Sequence, residues 1–261
     1  MPKRNNQAPG TPIWASQNFL TGRKTIRQLI RKTSICAHDH VIEIGPGKGH
    51  ITGELLQHCH RGLVSAIELD KCLYERLHAK YSEFNNLALY CKDFLKWTLP
   101  LSGDYKVFAN IPFFHTTEIL RKLTEWKNPP QETWLIMEKG AAKRFMGIPN
   151  ENIRSLTLKP MYDLQILHYF RREDFHPKPN VDVVMLHMKR KENYDIPPAM
   201  RRNYLYFIQN SLTGGKLGLT RLFTKRQLAR ACKTAGLNDL VSGEILYIQW
   251  LCLFRCYSHY N

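Results

Sequence analysis

Long apolar runs are missing from this 261-residue sequence, and none approaches the roughly 18 apolar residues of a membrane-spanning helix. The first seven residues, MPKRNNQ, are basic and polar and lack the apolar core of a secretory signal. The sequence also has no long basic amphipathic helix of the kind that binds an anionic membrane surface. We therefore expect a cytoplasmic protein that does not associate with membranes.

Cysteine occurs seven times, and neither its number nor its spacing is typical of a disulfide or zinc framework. The number is odd, and no Cys-x-x-Cys pair occurs. The segment His58-Cys59-His60 contains metal-binding residue types, but neighbouring residues on a helix point in different directions and no second pair follows nearby. We predict reduced thiols and no metal site.

Acidic residues are also scarce. The chain has 22 Asp and Glu against 38 Lys and Arg, so its formal net charge is +16 and its sequence pI is about 9.6. Such an excess costs self-repulsion and is typical of proteins that bind a polyanion. Because membrane attachment is not indicated, we predict nucleic acid as the partner.

A predicted strand runs into a glycine-rich turn at residues 39–49, DHVIEIGPGKG, and a helical pattern follows from Ile51. Strand, glycine turn and helix open a Rossmann-type unit, in which glycine lets the backbone approach a ligand closely. Gly45, Gly47 and Gly49 have the spacing Gly-x-Gly-x-Gly, and no phosphate-binding Lys-Ser pair follows. This pattern favours S-adenosylmethionine over NAD or ATP.

The next two predicted strands end in acidic residues. An acid at the end of the strand at 63–70 accepts hydrogen bonds from ribose hydroxyls in this topology. We choose Glu68 because it comes first after the apolar run, and Asp70 is the alternative. After the following strand, Asp93 would accept the adenine amine and Phe94 would supply a backbone N–H. Capping of a helix is the simpler alternative for each acid.

The fourth predicted strand ends in Asn110-Ile111-Pro112-Phe113, a set suited to methyl transfer to the exocyclic amine of a base. The side-chain oxygen of Asn110 and the carbonyl of Ile111 would accept the two amine hydrogens and stabilise the developing positive charge. Pro112 would fix the backbone, and Phe113 would stack on a base turned out of its helix. Phe175 is a candidate second ring. An Asn-Pro turn at a strand end and a buried loop anchor are the respective alternatives.

Basic side chains form the candidate RNA surface, and a solvated surface is the alternative for each of them. The candidate RNA-binding residues are Lys3, Arg4, Arg23, Arg121, Lys122, Arg201, Arg202, Arg226 and Arg230.

Five segments together resemble the motif set of the ribosomal RNA adenine N6-methyltransferases. They are SQNFL at 16–20, EIGPGKG at 43–49, IELD at 67–70, NIPF at 110–113 and FHPKPNV at 175–181. That family has an Erm resistance branch and a branch of small-subunit rRNA dimethyltransferases with mitochondrial transcription-factor relatives. Ile111, the segment TTEILRK at 116–122 and the compact helical tail resemble the Erm branch.

The resemblance implies a class I S-adenosylmethionine-dependent methyltransferase fold, an α/β Rossmann-like domain with a mostly parallel sheet. Alternating residues at 164–170 and 182–188 predict a C-terminal antiparallel strand pair, and a small all-helical domain follows. A charged segment and Pro197-Pro198 place the boundary near Arg190. The expected division is a flexible basic arm over 1–15, the methyltransferase domain over 16–189 and a helical RNA-binding domain over 190–261.

The resemblance also implies the site residues. S-adenosylmethionine, with S-adenosylhomocysteine as product, would contact Asn18, Leu20, Gly45, Glu68, Asp93 and Asn110, and the patterns above add Gly47 and Phe94. Asn110 and Ile111 would hold the target amine, with Phe113 and Phe175 stacking on the flipped adenine. The family often has tyrosine in place of Phe113, so stacking is kept while any bond from the hydroxyl is lost.

The implied reaction transfers one or two methyl groups to N6 of one adenine in the peptidyl-transferase loop of 23S rRNA. It would give resistance to macrolide, lincosamide and streptogramin B antibiotics. The expected substrate is bare rRNA or an assembly precursor, because single-stranded loops can splay a base outward; we expect a monomer with no obligate protein partner. The alternatives are a small-subunit rRNA dimethyltransferase, a non-catalytic nucleic-acid-binding relative and a DNA methyltransferase.

Overall fold

The computed structural model describes residues 18–213, 216–238 and 244–260. The predicted N-terminal arm, with Lys3 and Arg4, lies outside these residues. The strands are β1 (Phe19–Leu20), β2 (His40–Ile44), β3 (Leu63–Glu68), β4 (Leu87–Cys91), β5 (Lys106–Asn110), β6 (Glu132–Glu138), β7 (Tyr162–Tyr169), β8 (Phe175–His176) and β9 (Val183–Arg190). The α-helices are α1 (Arg23–Arg31), α2 (His50–His58), α3 (Lys71–Lys80), α4 (Thr116–Glu125), α5 (Lys139–Met146), α6 (Ile153–Leu158), α7 (Arg201–Thr213), α8 (Lys216–Leu222), α9 (Lys225–Thr234) and α10 (Tyr247–Tyr260).

Seven strands form one sheet in the order β4-β3-β2-β5-β6-β9-β7. β2 pairs in parallel with both β3 and β5, β3 pairs in parallel with β4, and β5 with β6. The chain therefore proceeds outward from β2 to β4 and then returns to the other side of β2. Open α/β sheets bind ligands at such a reversal, here between the carboxyl ends of β2 and β5. The predicted Rossmann-like fold is confirmed, and the segments 164–170 and 182–188 pair as β7 and β9.

The sequence pattern explains why the central strands and α1 are buried where they are. Val107, Phe108 and Ala109 in β5 are fully buried, as expected for a parallel strand covered on both faces. In α1, Ile26, Leu29 and Ile30 recur at helical spacing and are buried, while the basic residues of the helix are exposed. None of the described helices is long and apolar enough to cross a membrane.

A separate two-stranded ribbon joins the start of the described chain to a segment far along the sequence. β1 and β8 are antiparallel, with Phe19 opposite His176 and Leu20 opposite Phe175. The N–H of Thr21 extends the ribbon by donating to the carbonyl of Asp174 at 3.1 Å. The ribbon fixes the backbone just after residue 18.

The chain divides into two compact units. The first comprises the described residues up to Lys139 together with Ile166–His187, and the second comprises Gly140–Gln165 with the described residues from Met188 onward. In the second unit, Leu156 of α6 is buried in an aromatic-rich core with side chains of α7 and α10. The hydroxyl of Tyr204 in α7 also donates to the Leu156 carbonyl at 3.0 Å. The expected boundary near Arg190 placed residues 140–165 with the methyltransferase domain, whereas their contacts join them to the helical tail.

Candidate active site

A cavity of about 700 Å³ lies in the first unit at the carboxyl ends of β2 and β5. Its walls come from residues 18–20, the turn after β2, the start of α2, residues 110–114 and residues 177–181. The predicted site residues that line it are Asn18, Leu20, Gly45, Asn110, Ile111, Pro112 and Phe113. The predicted residues Gly47, Glu68, Asp93, Phe94 and Phe175 are not among its lining residues.

Two consecutive residues that line this cavity, Asn110 and Ile111, each carry a hydrogen-bond acceptor. The side-chain amide nitrogen of Asn110 donates to the backbone carbonyl of Asn18 at 2.7 Å. A carbonyl can only accept, so this bond identifies the nitrogen and leaves the side-chain oxygen as a free acceptor. The N–H of Ile111 donates to the carbonyl of Ile136 at 3.1 Å. Among the described residues, neither the Asn110 oxygen nor the Ile111 carbonyl has a hydrogen-bond partner.

The turn after these acceptors is rigid. Pro112 has φ −60° and ψ 126°, and a single 3-10 turn over Phe113–His115 leads into α4. The hydroxyl of Thr116 donates to the Phe113 carbonyl at 2.9 Å. The ring of Phe113 is partly buried and packs against the core of the first unit. The proline and the helix start therefore hold Phe113 beside the two acceptors.

The glycine turn after β2 forms another part of the wall. Gly45 and Gly47 have φ values of +63° and +58°, in the left-handed region that side chains disfavour. A Cβ on Gly47 would overlap the ring of Phe19, whereas one on Gly45 would meet no atom within 4 Å. Gly47 is thus required by packing, and Gly45 leaves the backbone open to the cavity.

The side chain of Glu68 accepts a hydrogen bond from the glycine turn. Its side chain is 1% exposed, and its two oxygens accept from the N–H groups of Gly47 and Asp70, each at 2.9 Å. Burial raises the pKa of the Glu68 carboxyl, although these backbone hydrogen bonds oppose that shift. Asp70 uses its own carboxylate to cap α3 by accepting from the Leu73 N–H at 3.0 Å. Glu68 therefore binds the glycine turn, whereas Asp70 caps α3.

Comparison with known proteins agrees with this geometry. Residues 14–242 match the model of the family described as "Ribosomal RNA adenine dimethylase". The chain belongs to this family. It is 36% identical over 248 residues to the rRNA adenine N-6-methyltransferase of Limosilactobacillus reuteri, which covers 94% of this chain and 96% of the relative. The corresponding enzyme of Lysinibacillus sphaericus is 35% identical over 252 residues, with the same shares covered.

Solved structures show the same fold. The crystal structure of the 23S rRNA methyltransferase ErmE superposes with a TM-score of 0.83 at 24% identity, over 92% of this chain and 100% of that one. A dimethyladenosine transferase from Plasmodium falciparum superposes with a TM-score of 0.67 at 20% identity, over 88% and 86% of the two chains. The resemblance predicted from the motifs is confirmed, and the chain is an rRNA adenine N6-methyltransferase by family.

The family and fold imply S-adenosylmethionine as methyl donor for this rRNA adenine methyltransferase, and the residues present fit it. The open backbone at Gly45 and the cavity volume accommodate a nucleoside-sized ligand. Asn18 and Leu20 add a second wall. Glu68 is not among the lining residues, so its contact with the ribose hydroxyls stays a prediction. When bound, S-adenosylmethionine supplies an electrophilic methyl group, and Asn110 and Ile111 remain the predicted acceptors for the amine that would receive it.

The predicted adenine contacts lie in a compact turn after β4. One carboxylate oxygen of Asp93 accepts from the N–H of Leu95 at 2.8 Å, and the side chain of Phe94 is buried. The backbone carbonyl of Asp93 also accepts from the N–H of Trp97 at 2.9 Å. The carboxylate is thus already oriented by its own turn, and its contact with adenine stays a prediction.

Phe175 occupies the core of the first unit. Its ring is 2% exposed and lies edge-on to Phe170 at 5.2 Å between centroids, while its backbone pairs with Leu20. A ring enclosed in this way has no face open for a base. This burial matches the alternative of a buried loop anchor, and stacking of the adenine on Phe175 stays a prediction.

Glu43 is a buried acid to which the sequence patterns assigned no role. Its side chain is 1% exposed, and neither carboxyl oxygen has a hydrogen-bond partner among the described residues. Burial, reinforced by the neighbouring Glu68 carboxylate and only partly offset by Thr52, raises the pKa of Glu43 to about 8. An acid inside the apolar run VIEI is the one sequence signal that could have revealed it.

Replacing Glu43 by glutamine should make the protein's stability less dependent on pH. The wild-type pKa rises from an ordinary 4.5 to about 8 on folding. The native state therefore keeps a proton that the unfolded chain loses, so stability is greatest below the unfolded pKa and falls as pH rises through the folded pKa. In urea unfolding, the wild type should lose about 3 kcal/mol relative to Glu43→Gln between about pH 5 and about pH 8. Parallel pH profiles for the two proteins would contradict a buried, protonated Glu43.

The basic face of α1 is organised by one buried acid. Glu54 of α2, 5% exposed, accepts from the guanidinium groups of Arg23 at 2.6 Å and Arg27 at 2.8 Å. Although burial raises the pKa of Glu54, the hydrogen bonds from both arginines hold it below its ordinary value. Both arginines remain largely exposed, so the candidate RNA contact Arg23 is oriented and open to solvent.

Arg121 and Lys122, neighbours on α4, differ in their surroundings. Arg121 is exposed, as a phosphate contact requires. The ammonium of Lys122 instead donates to the backbone carbonyls of Leu95, at 2.8 Å, and Trp97, and burial lowers its pKa. Lys122 thus ties α4 to the turn after β4, because its charge is engaged within the chain.

The remaining candidate RNA residues belong to the second unit. Arg202 lies exposed on α7, and Arg201 beside it is half-buried. Arg226 and Arg230 are exposed on α9 and are four positions apart, so they lie on one face of that helix.

Proposed function

We propose that this enzyme transfers one or two methyl groups from S-adenosylmethionine to N6 of a specific adenine in the peptidyl-transferase loop of 23S rRNA. The added methyl groups would obstruct the macrolide, lincosamide and streptogramin B site by their bulk and by removing amine hydrogens. The observation that carries the proposed chemistry concerns Asn110 and Ile111, which line the cavity. The acceptor of each has no hydrogen-bond partner within the part of the chain that the structure describes.

This pair of acceptors suits an exocyclic amine. The lone pair of adenine N6 is delocalised into the ring, and two hydrogen bonds accepted by the protein favour a pyramidal nitrogen with its lone pair available. The side chain of Asn110 is held in advance by Asn18, so little reorganisation accompanies the positive charge that develops on the nitrogen. Phe113, fixed beside the acceptors, offers a face on which the adenine can stack.

Sequence features favour 23S rRNA over small-subunit rRNA. Ile111 after the catalytic asparagine, the segment 116–122 and the compact helical tail all resemble the Erm branch. The greater likeness in fold to ErmE than to the dimethyladenosine transferase points the same way. We propose bare rRNA or an assembly precursor as the substrate and a monomer as the active form.

Two basic surfaces would hold the RNA backbone. On the first unit, a groove of about 500 Å³ is lined by Arg23, Lys24, Arg27, Gln28 and Arg31 of α1. Glu54 orients two of these arginines, which reduces the side-chain entropy lost when they bind phosphate. On the second unit, Arg226 and Arg230 project from α9. The net charge of +16 supports a polyanion as the ligand of both basic surfaces.

Removing two charges from α9 should weaken RNA binding and its salt dependence. If Arg226 and Arg230 each contact a phosphate, the double variant Arg226→Ala/Arg230→Ala should reduce the slope of log affinity against log salt by about 1.5. Filter binding at a series of salt concentrations measures the slope. The control variant Lys71→Ala/Arg76→Ala removes the same charge from α3 and should change the slope much less. Equal slopes for the α9 variant and the wild type would remove this pair from the RNA surface.

The proposed function is tested by transfer of radiolabelled methyl groups from S-adenosylmethionine to protein-free 23S and 16S rRNA, with the modified base mapped. Label on one adenine of the 23S peptidyl-transferase loop is the expected result. Label on 16S rRNA, or on small-subunit particles alone, would assign the enzyme to the small-subunit branch. Binding of the cofactor without label on any RNA would favour a non-catalytic relative.

A further inference from the structure

Phe114 is an exposed aromatic residue at the cavity that the methyl-transfer chemistry does not use. Its side chain is 57% exposed, although it lines the same cavity as Asn110 and Phe113. Among the described aromatic residues, its ring contacts only the adjacent His115, at 4.3 Å between centroids and tilted by 49°. Single exposed apolar residues are common. An exposed ring in the wall of a nucleic-acid site is different, because it offers a stacking surface where unpaired bases must pass.

The direction of Phe114 separates its role from that of Phe113. The two residues are consecutive in the 3-10 turn Phe113–His115, where successive side chains point about 120° apart. Phe113 packs partly into the core, while Phe114 points to solvent. The two rings therefore cannot lie on the same face of one base. A base on Phe114 must belong to a different nucleotide from the one that stacks on Phe113.

A basic side chain at the cavity could contact the phosphate of such a nucleotide. Lys178 lines the cavity, and its side chain is exposed, with a surface ion pair to Glu173 at 3.3 Å. An ion pair between exposed side chains is weak, so the ammonium can be recruited by a phosphate at little cost. Aromatic stacking combined with nearby cations is how proteins hold single-stranded nucleic acid.

We propose that Phe114 stacks on the unpaired base next to the target adenine and so selects RNA in which the target lies in a single-stranded loop. This inference rests on the proposed function. It supplies the second aromatic contact that was expected from Phe175, but it assigns that contact to the flanking nucleotide. Stacking of this kind tolerates any base, because every base has a π-face.

The test compares Phe114→Leu with the wild type on short hairpin RNAs that present one adenine in an unpaired loop. On intact RNA, the variant should bind about tenfold to a hundredfold more weakly. In matched RNAs, the nucleotide on the 5′ or the 3′ side of the adenine is abasic. When the missing base is the one that stacks on Phe114, the wild type should bind the RNA more weakly. The wild type and Phe114→Leu should then have the same affinity.

Two further variants separate stacking from general damage. Phe114→Trp keeps a ring and should retain wild-type affinity, whereas Tyr169→Leu removes an exposed ring from β7 that does not line the cavity and should have no effect. The inference is overturned if Phe114→Leu binds intact RNA as tightly as the wild type does. It is also overturned if the variant's affinity is lower than that of the wild type by the same factor on intact RNA and on both abasic RNAs. Failure of the proposed function would appear separately, as wild-type protein that methylates none of the intact RNAs.

Discussion

Replacing Asn110 by alanine should reduce the rate of methyl transfer at saturating RNA and cofactor by about 10³-fold. The alanine variant lacks the acceptor oxygen that Asn18 holds in place, so the amine loses one of its two partners and the positive charge develops without that dipole. The affinity for RNA should change by less than about threefold, because the phosphate contacts lie elsewhere. Single-turnover methylation together with filter binding measures both quantities.

The matched control is Asn128→Ala. Asn128 also donates its side-chain amide to a backbone carbonyl, that of Gly103 at 2.8 Å, but it is not among the residues that line the cavity. Its loss should leave the single-turnover rate unchanged within about twofold. Near-normal methylation by Asn110→Ala would show that the amide oxygen has no part in the reaction, and the mechanism proposed here would be wrong.

Replacing Glu68 by glutamine should weaken the binding of S-adenosylhomocysteine by about tenfold to a hundredfold. In the wild type, each carboxylate oxygen accepts one backbone N–H, from Gly47 and from Asp70. Glutamine can satisfy only one of these donors, and its NH₂ group then faces the other donor in a buried site. The glycine turn is released, and the charge proposed to hold the ribose hydroxyls is lost. Isothermal titration calorimetry measures the affinity.

Asp70→Asn is the control for this prediction. Asparagine also caps helices well, and the backbone N–H of residue 70 is unaffected, so binding of S-adenosylhomocysteine should stay within about threefold of wild type. Circular dichroism of both variants shows whether the fold is intact. An unchanged affinity in a folded Glu68→Gln protein would exclude Glu68 from the cofactor site.

Short-range patterns predicted the fold, and the structure brings the predicted residues Gly45, Asn110 and Phe113 to one cavity. A strand that ends in a glycine turn, and a second that ends in Asn110-Ile111-Pro112-Phe113, are local features whose meaning follows from the sheet edge they share. Parallel pairing of β2 with β5 places both turns at that edge, as the order of the motifs in the chain implied. The free acceptor at Ile111 likewise follows from a sheet hydrogen bond that uses its N–H.

Features that depend on contacts between distant segments could not be predicted from local pattern. Phe175 was an equally plausible stacking ring or core residue until its pairing with Leu20, 155 positions earlier, decided the direction of its side chain. Lys122 carries a charge that looks available in the sequence, but two carbonyls of the turn after β4 use it. Residues 140–165 precede the expected boundary, and the packing of Leu156 beside Tyr204 joins them to the tail.

The β1–β8 ribbon gives the site an order of assembly during translation. The carbonyl that orients Asn110 belongs to Asn18, and the backbone next to it is held by residues 174–176. A nascent chain that has emerged only through β5 or β6 contains the glycine turn, Glu68 and Asn110, but β1 still lacks its antiparallel partner β8. Because β8 follows β2 and β5 in the chain, we expect the alignment of Asn110 to be completed only after residue 176 leaves the exit tunnel.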